Sequence, residues 1–176
     1  DIVHLSLLNL LEKAPVRARV AEVYMHVHDG RVFAFSPEVR VPKNYDRFKG
    51  LMSQLLRLGR VPPEGSPLIW QVSASIDEFL GVRRLLLMSE DGDVVMTPLQ
   101  LVEEAMRSAE PIGFGAFPRG PFSQPVLSRA SRRVRIRGGE PLKAWDVACA
   151  LSCALYELTQ RGLKTGNPSS SSWSGH

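Results

Sequence analysis

The run Pro111–Gly120, PIGFGAFPRG, is apolar up to Phe117 and carries glycines at 113, 115 and 120. An apolar stretch punctuated by glycine reads as a short buried strand, here leaving the core at Phe117. Glycine has no Cβ, so at a strand's end it either lets a ligand approach the backbone or serves a tight turn. On these residues alone both readings stand. Gly113-Phe114-Gly115 opens like a dinucleotide-binding G-x-G-x-x-G, but Pro118 occupies the place of the third glycine.

Outward from this run, strands and helices alternate. Upstream, Leu99–Arg107 reads as a helix capped by Thr97 with Pro98 in its first turn, and Arg84–Met88 and Leu68–Val72 read as strands. Downstream, Val134–Arg137 is a short strand. Pro141–Gln160 is the longest helix, apolar along Leu142, Trp145, Ala148, Leu151, Leu155 and Leu158. Such alternation predicts an α/β fold with a largely parallel sheet, whose ligands bind beyond the carboxyl ends of the strands.

The first third is patterned differently. Ile2–Leu11 has helical apolar spacing and stops before Pro15. Ala21–Ser36 alternates about Asp29-Gly30, a two-residue hairpin signal that sets Val23, Met25 and Val27 on one side and Val32 opposite Val27. Pro42 precedes a helix over Tyr45–Leu58, with Phe48, Leu51, Met52, Leu55 and Leu56 on its buried face. Prolines 62, 63 and 67 then mark a loop. Residues 1–163 are expected to form one domain and 164–176, rich in serine, a flexible tail.

Composition bounds the function. The 176 residues are 44% hydrophobic and 23% charged, enough for one domain with a core. Charges interrupt every apolar run before it reaches membrane-spanning length. The start, DIVHLSLLNLLEKAP, lacks the basic region and cleavage site of a signal peptide, so a cytoplasmic location is expected. The net charge of +4 and pI near 9.4 are compatible with nucleic acid. Ser128–Arg137, SRASRRVRIR, holds five arginines and no acid, whereas Glu90–Glu110 is net acidic. Cys149 and Cys153 lie one helical turn apart with no histidine beside them, and read as two small buried hydrophobes. His26 and His28 share a strand face but are too few for a metal site, and no metal is expected. No G-x-S-x-G, H-E-x-x-H or P-loop occurs.

Arg40, Lys43 and Arg47 stand three and four residues apart around a helix start, where side chains project together and free N–H groups favour an anion. The segment is either a phosphate-facing cluster or a solvated basic turn.

At these segments the chain resembles the pseudouridine N1-specific methyltransferases of ribosome biogenesis, archaeal-type members of the SPOUT, or trefoil-knot, class. The family pattern R-x-P-R/K-x-F/Y-x-R-F, then x-G-L-M-x-Q-L-L, is similar to Arg40–Leu56 across seventeen positions. The family's D-I-x-H is matched by Asp1, Ile2 and His4, its G-A-F/M-x-R/H-G loop by Gly115–Gly120, and its x-P-L-x-A by Glu140–Ala144. The likeness runs from Asp1 to about Gly162.

It implies a SPOUT-type parallel sheet with a C-terminal trefoil knot and a β-hairpin insertion, the domain's first strand and helix lying outside this chain. It implies a homodimer, small-subunit rRNA as partner, and no membrane. Arg40, Lys43 and Arg47 would bind RNA; because three phosphate contacts are few, other basic residues must help, and Arg132, Arg133, Arg135 and Arg137 are the candidates. Lys43 keeps the charge of the family's usual arginine without its bidentate fork. S-adenosyl-L-methionine would be held by Met88, Ser89, Gly115, Gly120, Ile136, Arg137, Gly138, Gly139, Glu140 and Leu142. Asp1 would orient an arginine two positions before it. The expected activity is methyl transfer to N1 of a pseudouridine; the competing expectation is a non-catalytic RNA-binding assembly factor of the same fold.

Overall fold

The structure, a computed structural model, describes residues 1–138 and 142–162. Its first half is built on an antiparallel sheet. Helix α1 (Ile2–Leu11) starts where the Asp1 carboxylate accepts the Ile2 N–H at 2.6 Å. A one-turn helix α2 (Ala14–Arg17), unexpected from the sequence, follows with Pro15 in its first turn. Strands β1 (Val23–His26) and β2 (Val32–Phe35) form the expected hairpin with a different turn. The Gly30 N–H donates to the Val27 carbonyl at 2.9 Å and Gly30 has φ +97°, while Asp29 keeps a negative φ. Both two-residue turns of the primed kind need positive φ at the first central residue, here Asp29, so the glycine instead closes a longer loop as a bulge. The register moves with it: Val32 faces His26, not Val27. His28 consequently lies in the turn, and both histidines are exposed.

Helix α3 (Tyr45–Leu58) has the span the sequence predicts. Asn44 caps it by accepting the Arg47 N–H at 3.0 Å, and Gly59, at φ +75°, ends it. Leu55 is fully buried, but Leu56 turns outward. Strands β3 (Arg60–Val61) and β4 (Ile69–Ser73) complete the sheet in the order β1-β2-β4-β3. All of β2 is buried, and its Phe33 and Phe35 belong to the core that α1, α3 and the Val39–Val41 segment cover.

The second half holds a fully parallel sheet. After α4 (Ile76–Leu80) come β5 (Leu85–Met88), β6 (Val94–Met96), α5 (Pro98–Ser108), β7 (Ile112–Gly113), α6 (Gln124–Arg129), β8 (Ala130–Ile136) and α7 (Ala144–Gln160). The order is β6-β8-β5-β7. Leu86 and Met88 pack with residues of α5 and α7, while Leu85 and Leu87 pack with α4 and α6. Coverage on both faces explains why β5 reads as unbroken LLLM rather than alternating. The two halves join where α1 lies against α7, with the Ser152 hydroxyl donating to the Asn9 carbonyl at 3.0 Å.

Several expectations are corrected. The strand expected over Pro111–Phe117 pairs only at Ile112–Gly113, since the chain peels away from this edge as soon as β5 ends. Strand β8 begins at Ala130, four residues before the expected start at Val134. Helix α7 begins at Ala144, and Leu142 before it is exposed rather than core. Cys149 is half-buried and Cys153 exposed. Gly139, Glu140 and the tail at 164–176 lie outside the described residues.

Candidate functional site

Because β5, β6, β7 and β8 run parallel, their carboxyl ends share one edge. Met88 closes β5 and is buried, and Ser89 follows it, its N–H donating to the Val134 carbonyl at 2.9 Å. Phe114–Gly120 leaves the end of β7. Ile136 closes β8, and Arg137 and Gly138 follow, the Arg137 N–H donating to the Met96 carbonyl at 2.8 Å. The order β8-β5-β7 therefore brings together three of the segments expected to hold a cofactor. Leu142 lies on the exposed stretch leading into α7.

The glycines along this edge differ. A Cβ on Gly115 would sit 2.8 Å from the Phe117 ring and 3.3 Å from Phe122, so a side chain there would have to push the Phe117 ring aside. Phe117 is itself 43% exposed and meets Phe122 edge-on at 5.2 Å. Gly120 has φ +104°, a conformation that favours glycine, and open space around it. Gly138 also has no neighbour within 4 Å of a Cβ among the described residues. A ligand held by backbone groups, with little side-chain bulk in the way, suits Gly120 and Gly138; at Gly115 it meets the Phe117 ring.

Two residues that sequence reading passed over shape this edge. Asp91 accepts from the Ser89 hydroxyl and pairs with Arg133 at 3.0 Å, and these partners, Ser89 foremost, hold its carboxyl below the usual carboxylate range. Gly92 is pressed against β8: a Cβ would lie 2.7 Å from the Val134 carbonyl carbon. An Asp-Gly pair after a strand was the available signal.

The basic cluster lies elsewhere, in the antiparallel half. Arg40, Lys43 and Arg47 are all exposed around the amino end of α3. Asp46, the one acid within the segment, pairs with Lys49 at 2.8 Å. Arg40, Lys43 and Arg47 have no carboxylate partner among the described residues. Asp1 is brought to this cluster, its backbone nitrogen donating to the Tyr45 hydroxyl at 3.0 Å. His4 is there too, its Nε2 2.6 Å from the Pro42 carbonyl. The strand arginines are differently placed: Arg132 pairs with Glu104 at 3.3 Å and Arg133 with Asp91, on opposite faces of the sheet. Among the described residues, no three of His, Cys, Asp and Glu group as metal ligands would, and no helix is long and apolar enough to cross a membrane.

A parallel sheet with glycine-bearing loops at its carboxyl edge, joined to an exposed cationic segment, defines the class. The chain has the SPOUT-type α/β fold of a crystallised methyltransferase, Archaeoglobus fulgidus Nep1 bound to S-adenosylhomocysteine, with a TM-score of 0.73 and 28% identity over 91% of this chain and 71% of that one. The EMG1/NEP1 methyltransferase family model matches residues 1–156, and the chain belongs to that family. It is 42% identical over 160 residues to the ribosomal RNA small subunit methyltransferase Nep1 of Aeropyrum pernix, covering 90% of this chain and 71% of the relative. It is 36% identical over 149 residues to that of Staphylothermus marinus, covering 82% and 64%.

Proposed function

We propose that this protein transfers a methyl group from S-adenosyl-L-methionine to N1 of a pseudouridine in small-subunit, 16S/18S-type rRNA, in the cytoplasm, as part of small-subunit biogenesis. The observation that carries this reading is the convergence of three loops at one parallel-sheet edge, in a chain whose fold matches a structure bound to the demethylated cofactor. Family membership and the names of the relatives supply the RNA.

In this reading Met88, Ser89, Gly115, Gly120, Ile136, Arg137, Gly138 and Leu142 line the cofactor site, with Gly139 and Glu140 from the loop outside the described residues. When bound, S-adenosylmethionine supplies an electrophilic methyl on a sulfonium. The chain's own residues then have mainly to hold the target nitrogen in line with that methyl, since proximity and alignment carry this kind of displacement, while the N1 proton would pass to solvent and S-adenosylhomocysteine would leave. Arg40, Lys43 and Arg47 bind phosphates of the RNA, Arg132 and Arg133 add contacts, and Asp1 orients an arginine two positions before it. The target base is presented unstacked from a structured loop. Residues 1–163 act as one domain closed by a C-terminal knot, with 164–176 as a tail. Two copies pair, so that the cations of one subunit serve the cofactor edge of the other.

The test is methyl transfer to two stem–loop RNAs that differ only in uridine or pseudouridine at the loop position. Transfer to the pseudouridine RNA alone is expected, and equal rates would reject the assignment. The Phe117 ring over Gly115 favours one second reading, an assembly factor that binds RNA without catalysis. Calorimetric titration separates the two: binding of S-adenosylhomocysteine supports the enzyme, and none at millimolar ligand supports the scaffold.

A further inference from the structure

His4 belongs to the D-I-x-H stretch, yet nothing in the proposed reaction uses it. It sits in the first turn of α1 and is only 5% exposed. Its ring stacks on Phe48 with centroids 4.4 Å apart and planes 20° apart. Its Nε2 lies 2.6 Å from the Pro42 carbonyl. A carbonyl can only accept, so Nε2 carries the proton of this bond.

Those contacts bracket the cationic segment. Pro42 lies between Arg40 and Lys43, and Phe48 follows Arg47. Proline has no N–H, so the carbonyl is the one main-chain group through which residue 42 can be tied by a hydrogen bond. The bond spans 38 positions of sequence, anchoring the loop to a helix of the core. Cations on an untethered loop lose conformational freedom when they settle on phosphates, and fixing the loop beforehand removes part of that cost.

We infer that His4 is a positioning residue for RNA: it clamps the Pro42 carbonyl and the Phe48 ring together and so pre-sets the spacing of Arg40, Lys43 and Arg47. This rests on the proposed RNA-binding role of those three cations. Substitution His4→Phe keeps a stacked ring and deletes the bond, while His4→Gln restores a donor of similar reach.

The experiment measures anisotropy with a stem–loop RNA carrying one loop pseudouridine, calorimetry with S-adenosylhomocysteine, and steady-state kinetics. H4F is expected to raise the RNA Kd and KM about three- to tenfold, the weight of one net hydrogen bond, with kcat and cofactor affinity unchanged. H4Q returns the RNA Kd towards the parent value. Parent-like RNA binding by H4F, equal losses of RNA and cofactor affinity, or an H4Q no better than H4F would each overturn the inference. If H4F does not fold, H4N, whose amide stops short of the carbonyl, replaces it; H4N equal to H4Q in RNA affinity also overturns it. R47A separates the underlying reading. A parent-like Kd for R47A removes the RNA role of the cluster and the inference with it, whereas a weakened R47A beside a parent-like H4F removes the inference alone.

Discussion

Arg133 Nη1 lies 3.0 Å from Asp91 Oδ2, and the same carboxylate accepts from the Ser89 hydroxyl. An arginine proposed to contact RNA and a serine proposed to line the cofactor site thus share one acid. Asp91→Asn is expected to weaken S-adenosylhomocysteine binding several-fold by loosening Ser89, while leaving Arg133 freer for RNA. Calorimetry on the variant checks the first effect, and an RNA titration the second.

The same carboxylate gives a pH dependence with a definite sign. Its folded pKa is depressed below 3.8, by the Ser89 hydrogen bond first and the Arg133 charge next. The folded state therefore favours the ionised form. The stability this contributes is complete above the unfolded value and is lost as pH falls through the lower folded value. A carboxyl chemical-shift titration of Asp91 should show a midpoint below 3.8, moving up in Arg133→Ala yet not reaching the ordinary value.

The glycines should separate structure from ligand binding. Gly92→Ala forces a Cβ to 2.7 Å from β8 backbone and is expected to cost about 1–3 kcal/mol, the range for overpacking a site that cannot relax. Gly138→Ala meets nothing among the described residues, so thermal unfolding should change by less than about 0.5 kcal/mol. If its backbone lines the cofactor site, the same substitution should still reduce S-adenosylhomocysteine affinity. Melting curves beside calorimetry distinguish the two effects.

The arginines should not behave alike. Arg40→Ala, Lys43→Ala and Arg47→Ala each remove a cation with no acidic partner among the described residues, and each should lower the salt slope of RNA binding by about 0.7. Arg132 and Arg133 are already paired, with Glu104 (which Arg107 also holds) and Asp91, so Arg132→Ala and Arg133→Ala should cost less affinity. Lys43→Arg restores a bidentate fork and should tighten binding. Titrations at three salt concentrations read all of these.

Thr97→Ala tests how locally the second half is specified. Thr97 accepts the Gln100 N–H at 3.2 Å and Gln100 returns a bond at 2.9 Å, closing the capping box of α5. Its loss should cost about 1 kcal/mol in chemical denaturation, without altering the slope of the transition.

Helices α1 and α3 were legible to the residue because their signals are local: apolar spacing, a capping Asp or Asn, a Pro or Gly beyond the end. The four-residue α2 and the five-residue α4 went unread because one turn carries too little periodicity to stand out. The hairpin itself was legible, whereas its register was not, since Asp29-Gly30 can close a two-residue turn or, with His28 drawn in, a longer bulged loop. The candidate loops could be named from glycines and family pattern, but not the Phe117 ring that covers Gly115.

The sequence by itself determined two oppositely charged stretches, the acidic Glu90–Glu110 and the basic Ser128–Arg137, and the parallel α/β class around them. Only the tertiary structure decided that they meet. Inserting β8 between β6 and β5 sets Arg132 on Glu104, Arg133 on Asp91 and Ser131 on Glu110, while Arg40, Lys43 and Arg47 have no such partners among the described residues. Charge is a property of residues and can be read along a chain. Whether a charge is already neutralised depends on strand order, which brings together groups up to 42 positions apart.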